Sequence, residues 1–331
     1  MTAKTALLKK KKSNDIKEEL GWYLFILPLI LGLLIFSLYP MIMSLWYSFF
    51  TNYNGEQMLP TFSGINQFGR PVNYFGWANY QRLFDFSRPD SSRYLGDDAF
   101  KSLGITFLYA IIAVPGCLVL SFGVALMVNS KIKGVGIFRT LYYLPVIIPS
   151  VIWGALWSNI LRPFETGGLF NGILTQMGLP VNKFLLGKDT AFPTFLSLNL
   201  WTLGASMILW LSALKNVPES LLEAAKLDGA GYFRRVITVI IPMCSSILFY
   251  NMVTGMIGAL QMMGNVKALT GGGGEDNLPF YALWIYNFGF SGMERGFACA
   301  MAWVLFVIIG LLTALIFKSS GWVYYGDGGD K

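Results

Sequence analysis

Six long apolar segments alternate with shorter polar ones along the chain. They lie near residues 22–48, 103–128, 141–161, 192–214, 242–265 and 297–317. Each is close to the roughly 20 residues that a helix needs to cross a bilayer. The composition points the same way, because 54% of the residues are hydrophobic and only 13% are charged. The pattern predicts an all-α integral membrane protein with six transmembrane helices.

The pattern also divides the chain into regions. We expect a basic tail at 1–20, a first transmembrane helix at 21–50, an external loop or cap at 51–100, a five-helix membrane core at 101–318 and a second tail at 319–331. The first apolar segment exceeds the 7–15 residues or so of a secretory signal, so it should remain as an anchor. Within the cap, residues 76–84 predict an amphipathic helix at the membrane interface, with Trp77 and Tyr80 as belt residues rather than substrate contacts.

The basic residues near the ends of the spans predict the orientation. Lys9 to Lys12 place the N-terminal tail in the cytoplasm. Alternate crossings then place residues 129–140 and 215–241, which also carry Lys and Arg, on the same side, together with the C-terminal tail. The net charge of +7 comes largely from these inward segments, so no nucleic-acid partner is expected.

Several kinds of chemistry are missing from the sequence. The chain has no histidine, which excludes histidine acid–base catalysis and histidine metal sites. It also has no Gly-x-x-x-x-Gly-Lys-Ser/Thr loop, so we expect it to hold no ATP in that way. The three cysteines, Cys117, Cys244 and Cys299, fall in or beside apolar spans and are predicted to be packing residues.

A small-residue helix is predicted between the fourth and fifth spans. Pro218 and Glu219 suit the first turn of a helix, and Ala224 and Ala225 are strong helix formers with little bulk. Gly229 and Gly231 should end the helix. A partner could approach such a face closely.

This segment resembles the EAA signature of ABC-importer membrane subunits. The matching positions are Glu223, Ala224, Ala225, Gly229, Val239, Ile241 and Pro242. The resemblance implies that the loop 215–242 couples the chain to a cytosolic ATPase, which Glu223 would contact through charge-assisted hydrogen bonds. The orientation inferred from the basic residues places this loop in the cytoplasm without using the motif. Arg234 and Arg235 could contact lipid phosphates, the ATPase or another permease.

Other segments resemble the maltose, glycerol-3-phosphate and multiple-sugar permeases. They are Gly76 to Tyr80, Thr270 to Gly273, Tyr281 to Tyr286 and Gly296 to Ala302. The resemblance implies a type I ABC-importer permease in the plasma membrane of a prokaryote, whose first helix embraces a second, homologous permease. It also implies two cytosolic nucleotide-binding subunits, which would hold ATP and Mg, and an external solute-binding protein. This chain itself would hold no cofactor and catalyse no reaction.

Polar residues on the fourth and fifth spans are candidates for a substrate pathway, because polar side chains within lipid usually face a cavity or a partner. On the fifth span, Asn251, Thr254, Gly258, Gln261 and Asn265 recur at helical spacing. The fourth span adds Asn199, Thr202 and Ser206, and the neighbours Trp201, Tyr250 and Met262 complete the set. The alternative is that these groups hold helices together. It stays open for Asn199, Asn251 and Gln261 and is favoured for Thr202, Thr254 and Ser206.

Neutral amides, hydroxyls and aromatic rings suit a sugar, which offers hydroxyls and an apolar face. We therefore predict a permease subunit for a carbohydrate, expected to be an oligosaccharide. Within the importer class the alternative is a polyol phosphate, an amino acid or a peptide. A secondary transporter would need inverted repeats and intramembrane ionisable groups, and an embedded enzyme would need paired carboxylates; neither pattern is convincing here.

Overall fold

The computed structural model describes residues 22–54, 59–65, 71–85, 96–129, 134–162, 168–270 and 277–324. The helices begin with α1 Trp22–Ser48, α2 Ala78–Leu83, α3 Gly96–Val128, α4 Val135–Ile147, α5 Ser150–Ile160, α6 Leu169–Gln176 and α7 Lys188–Leu200. They continue with α8 Gly204–Lys215, α9 Glu219–Leu227, α10 Tyr232–Met243, α11 Ser245–Leu260, α12 Gly264–Thr270, α13 Tyr281–Tyr286 and α14 Arg295–Lys318. Two short strands, β1 Ser63–Ile65 and β2 Pro71–Asn73, pair in antiparallel register.

In the described part of the chain, three helices are long and apolar enough to cross a membrane by themselves. They are α1, α3 from Ala99 onward, and α14. Three further spans are bent pairs of helices: α4 with α5 at 98°, α7 with α8 at 41°, and α10 with α11 at 71°. The six predicted spans agree with the structure when each bent pair counts as one crossing, but the apolar pattern did not predict the bends.

The sharpest bend has a local cause in the sequence. Ile148 is extended, with ψ of 122°, and Pro149 caps the start of α5. A proline disfavours the helical conformation of the residue before it, because its ring crowds that residue's backbone. The chain therefore leaves α4 at Ile148 and turns into α5.

Two other prolines follow directly on a π-helical turn. The turn Leu34–Leu38 in α1 is closed by Tyr39 N–H to Leu34 O and is followed by Pro40. The turn Val236–Ile240 in α10 is closed in the same way by Ile241 and is followed by Pro242. A proline lacks an N–H group and its ring crowds the carbonyl four residues earlier. The wider turn makes room for that ring without breaking the helix.

The core is organised around α3, which packs against α8 and α11. A large apolar cluster joins α3, α5, α7 and α11 to α14, with fully buried Trp153, Phe195, Phe280 and Leu260. A smaller cluster lies where α3 ends and α9 begins. Its buried members are Ala125, Met207, Trp210, Leu214, Val217 and Cys244.

The helix α1 stands partly apart from this core. Its second half, Tyr39–Ser48, packs against α14, whereas its most apolar 18-residue window has no buried residue. The first half of α1 therefore presents an apolar surface on all sides.

The predicted interfacial helix of the cap is present as α2, and it is fastened to the end of α1. The buried Asn79 amide donates to Ser48 O at 2.9 Å and to Phe50 O at 3.0 Å. Tyr80 shares a hydroxyl hydrogen bond of 2.7 Å with Ser48 and is half-buried, so it differs from a free belt residue. Trp77 is 65% exposed, as a belt residue would be.

Some predicted segments lie outside the described residues: the tail 1–20, the inward loop around Lys131 and Lys133, the glycine turn 271–274 and most of the tail 319–331. The three cysteines are free, and Cys244 is buried in the smaller cluster. Within the described ranges, no group of three His, Cys, Asp or Glu side chains could hold a metal ion.

Candidate coupling helix and translocation cavity

The helix α9 carries the EAA positions, and its two ends follow from the sequence. Pro218 is extended and precedes the first turn, in which Glu219 lies at the positive end of the helix dipole. Lys226 lies in the last turn, at the negative end.

Gly229 ends this helix in a left-handed conformation, with φ of +77°. Ala230 N–H donates to Ala225 O at 2.9 Å, and Gly229 N–H donates to Lys226 O at 3.0 Å. This pair of bonds is the Schellman arrangement, which satisfies the last carbonyl groups of a helix and favours glycine. The predicted end of the helix at Gly229 is confirmed.

The helix α9 has no fully buried residue, and Glu223 and Ala224 are exposed. Leu222 attaches α9 to the rest of the protein, because this side chain packs against the smaller apolar cluster. The face with Glu223 is therefore open to a partner, while the opposite side is attached to α3 and α8 through that cluster.

The second half of the EAA segment is joined to the same cluster. Val239 packs against it from the π-turn of α10, and Pro242 follows that turn on an exposed surface. The helix α9 and the start of the fifth span therefore pack against the same apolar cluster, through which a displacement of α9 can reach α3, α8 and α10.

A cavity of about 460 Å³ lies between α3, α7, α8, α11 and α12. Seven of the predicted pathway residues line it: Asn199, Thr202, Tyr250, Asn251, Thr254, Met262 and Asn265. Ser206 and Gly258, which belong to the same polar stripes, also line it. The fourth span, α11 and α12 thus bring these residues to one cavity.

The polar groups of the cavity are held by hydrogen bonds to the protein. Asn265 Nδ2 donates to Asn199 Oδ1 at 3.1 Å, and this bond joins the end of α7 to the start of α12. Asn251 Nδ2 donates to Ile247 O at 3.1 Å and Thr254 Oγ1 to Tyr250 O at 2.7 Å. A hydroxyl or amide oxygen has two lone pairs, so these groups can still accept bonds from a ligand.

Two predicted pathway residues lie elsewhere. Gln261 follows the last residue of α11, is exposed and does not line the cavity. The continuous helical stripe expected from Asn251 to Asn265 is wrong, because α11 ends at Leu260 and Asn265 belongs to α12. Trp201 lies at the break between α7 and α8, where it is 43% exposed and packs edge-on against Trp157 at 5.3 Å.

Sequence reasoning missed the contribution of α3. Tyr109, Ala113, Val114, Cys117 and Leu118 form one wall of the cavity. No polar stripe marks this helix, so only its small residues could have indicated that a neighbour approaches closely.

No charged side chain is among the described residues that line the cavity. Tyr250, 53% exposed, offers a ring, and the amides and hydroxyls offer hydrogen bonds. Such a lining can bind a neutral ligand with hydroxyl groups and an apolar face.

Comparisons with known proteins agree with this architecture. The chain is 34% identical over 331 residues to the probable ABC transporter permease protein YesP of Bacillus subtilis, covering 98% of each chain. It is 30% identical over 279 residues to the diacetylchitobiose uptake system permease protein NgcF of Streptomyces coelicolor, covering 80% of this chain and 75% of the relative.

A solved structure has the same fold. The crystal structure of a bacterial alginate ABC transporter in complex with an alginate pentasaccharide-bound periplasmic protein contains a chain that superposes with a TM-score of 0.74. The match covers 93% of this chain and 96% of the other at 22% identity. Residues 117–324, which include α9 and the cavity, match the family model of the binding-protein-dependent transport system inner membrane component. The chain belongs to that family, the membrane-spanning permease components of ABC importers.

Proposed function

We propose that this chain translocates a carbohydrate, with an oligosaccharide as the expected size, and that a separate cytosolic ATPase drives it. The observation that carries the proposal is the uncharged cavity of about 460 Å³, lined by Asn199, Asn251, Thr254 and the half-exposed ring of Tyr250. An anionic solute would favour a cation in the lining.

The names of the relatives support a sugar. Similar permeases serve diacetylchitobiose in Streptomyces coelicolor and arabinooligosaccharides in Bacillus subtilis. A glycerol-3-phosphate permease of Yersinia pestis, 27% identical, makes the polyol phosphate the alternative to test.

The proposed assembly has this chain beside a second, homologous permease, with two cytosolic ATPase subunits that hold ATP and Mg and an external binding protein that delivers the sugar. Both tails lie in the cytoplasm. Closure of the ATPases displaces α9, and the smaller apolar cluster transmits this displacement to α8 and α10. The cavity then switches between its inward- and outward-facing states, and this chain catalyses no reaction itself.

The substrate is tested by the ATPase activity of the reconstituted transporter with its binding protein, across mono- and oligosaccharides and sn-glycerol-3-phosphate. One sugar should stimulate hydrolysis.

Tyr250→Leu and Thr254→Val should raise the sugar concentration required for half-maximal transport by about tenfold, since each removes one ligand contact. Tyr142→Leu and Thr140→Val, which change the same residue types outside the cavity, should leave it unchanged. Stimulation by glycerol phosphate alone would refute the carbohydrate proposal.

The coupling role is tested separately with Glu223→Gln. It removes the exposed carboxylate of α9 without changing its size, so substrate-stimulated hydrolysis should fall at least tenfold. The matched control is Asp228→Asn, which removes an exposed carboxylate at the end of the same helix. Equal effects of the two variants, or none, would contradict the role of Glu223.

A further inference from the structure

A second cavity, of about 660 Å³, lies away from the proposed pathway, between the second half of α1 and the core. We call it the α1–α14 groove. The walls come from α1, from α13 with the π-turn Asn287–Ser291 that follows it, and from α14. Nothing in the proposed transport mechanism uses this groove.

Small residues create the space. Ala282 and Gly289 leave room on the side of α13, and Ala298 and Ala302, one turn apart, leave room on α14. The rest of the lining is mainly apolar: Tyr39, Pro40, Met43, Met263, Ile285 and Phe290. The groove therefore suits a slender apolar ligand.

One end of the groove is chemically different from the rest. Arg295 is the only charged residue of the lining in the described part of the chain, and its Nε is buried without a hydrogen-bond partner there. Gly296 N–H donates to Tyr53 O at 3.0 Å, which places Tyr53 beside Arg295. The rings of Tyr53 and Tyr47 stack at 4.1 Å, so two phenol groups accompany the guanidinium. This end can bind a phosphate group, for which a guanidinium is well suited.

We propose that the α1–α14 groove binds one glycerophospholipid, with an acyl chain between α1 and α14 and the phosphate on Arg295. The apolar walls run from Tyr47 to Tyr39 and from Arg295 to Ala302, which corresponds to about 10–12 Å along each helix. This length lies within the roughly 15 Å of hydrocarbon in one leaflet. The lipid belongs to the leaflet at which α1 ends and α14 begins.

Charge favours a lipid over an apolar helix of another subunit. Such a helix would leave the buried Nε of Arg295 without an anionic partner, whereas a phosphate satisfies it. A lipid in this position fills the space between α1 and the core and so fixes the tilt of α1.

The experiment measures lipid binding to the delipidated transporter that contains this chain, by native mass spectrometry and without sugar or ATP. Dioleoylphosphatidylglycerol is titrated, and dioleoylglycerol serves as the probe with the same chains but no phosphate. Wild type should retain one phospholipid and bind dioleoylglycerol at least tenfold more weakly. Arg295→Gln should weaken phospholipid binding at least tenfold and remove the preference between the two probes.

Ala302→Phe should abolish binding of both probes because it fills the groove. Lys318→Gln, a cation at the other end of α14, and Val307→Phe, an exposed position of the same helix, are the matched controls and should bind as wild type does. If the Ala302→Phe variant does not assemble, Ala298→Leu replaces it, because it also fills the groove and should weaken binding of both probes. Arg295→Gln tests the phosphate contact in either case. Unchanged binding in Arg295→Gln, or a cross-link from Ala302→Cys to the second permease, would overturn the proposal.

Discussion

At the scale of single residues, Gly229 links the sequence most directly to the coupling segment. The left-handed φ of +77° is accessible to glycine and costs other residues about 1 kcal/mol or more. The Schellman bonds that end α9 depend on this conformation, and so does the direction in which the chain enters α10.

We therefore expect Gly229→Ala to destabilise the end of α9 by about 1 kcal/mol and to lower substrate-stimulated ATPase activity several-fold. Gly229→Asn should retain more activity, because asparagine tolerates the left-handed region. The matched control is Gly231→Ala, two residues on, where φ is −64° and an added Cβ meets no atom within 4 Å. Steady-state hydrolysis and thermal unfolding measure both effects, and equal losses in the two alanine variants would contradict the explanation.

The cavity could be predicted from polar residues in the membrane spans, because a polar side chain in such a span turns away from lipid. Asn199, Asn251 and Asn265 reached the same cavity for that reason. Gln261 did not, since the stripe was extended with a helical period beyond Leu260, where the helix stops. The end of α11 depends on packing of the next helix: α12 lies so close to α5 that a Cβ at Gly154 would collide with Ala268. Such tertiary contacts have no local signal.

At the scale of elements, prolines explain part of the architecture. The same spacing of a π-turn and a proline occurs at Pro40 and Pro242, and Pro149 follows the 98° bend. The sequence shows where these prolines are, but it does not show whether a proline causes a π-turn or a bend. Both relieve the clash between the proline ring and the preceding turn of the helix.

The cap helix α2 provides a prediction at this scale. Asn79→Ala removes two hydrogen bonds and leaves the carbonyl groups of Ser48 and Phe50 without their donor, so it should destabilise the cap by about 2–3 kcal/mol. Gln81→Ala, an exposed position of the same short helix, is the control and should be close to neutral. Limited proteolysis of the intact transporter from the cap side measures the difference. Equal cleavage of the two variants would show that the Asn79 bonds do not stabilise the cap.

At the scale of the whole molecule, one long helix is attached to the core at one end only. The cap, the core and α9 are connected through buried and half-buried residues, whereas α1 has its contacts with the core in its second half. The resemblance implies that a second permease covers the remainder. That arrangement could be anticipated only from the family, since an apolar helix surface looks the same whether lipid or protein covers it.

A label at Phe25→Cys, a position that is 83% exposed in this chain, should be quenched by brominated lipid when the chain is reconstituted alone. Assembly with the second permease should reduce that quenching by about half or more, because a protein surface replaces lipid on one side of the helix. The control is a label at Ile42→Cys, in the half that contacts α14, and its quenching should stay constant. No difference between the two positions would mean that the second permease does not cover the first half of α1.

The attachment of α1 by the cap has a mechanical consequence. A helix of 27 residues is about 40 Å long, and α1 is clamped at one end by Asn79 and Tyr80. Because Tyr39–Ser48 also packs against α14, the part of α1 that can tilt is residues 22–38, which is about 25 Å long. A tilt of about 5° moves the end of this part by about 2 Å. A contact on one face of the membrane can thus be converted into a displacement on the other without any helix being unwound.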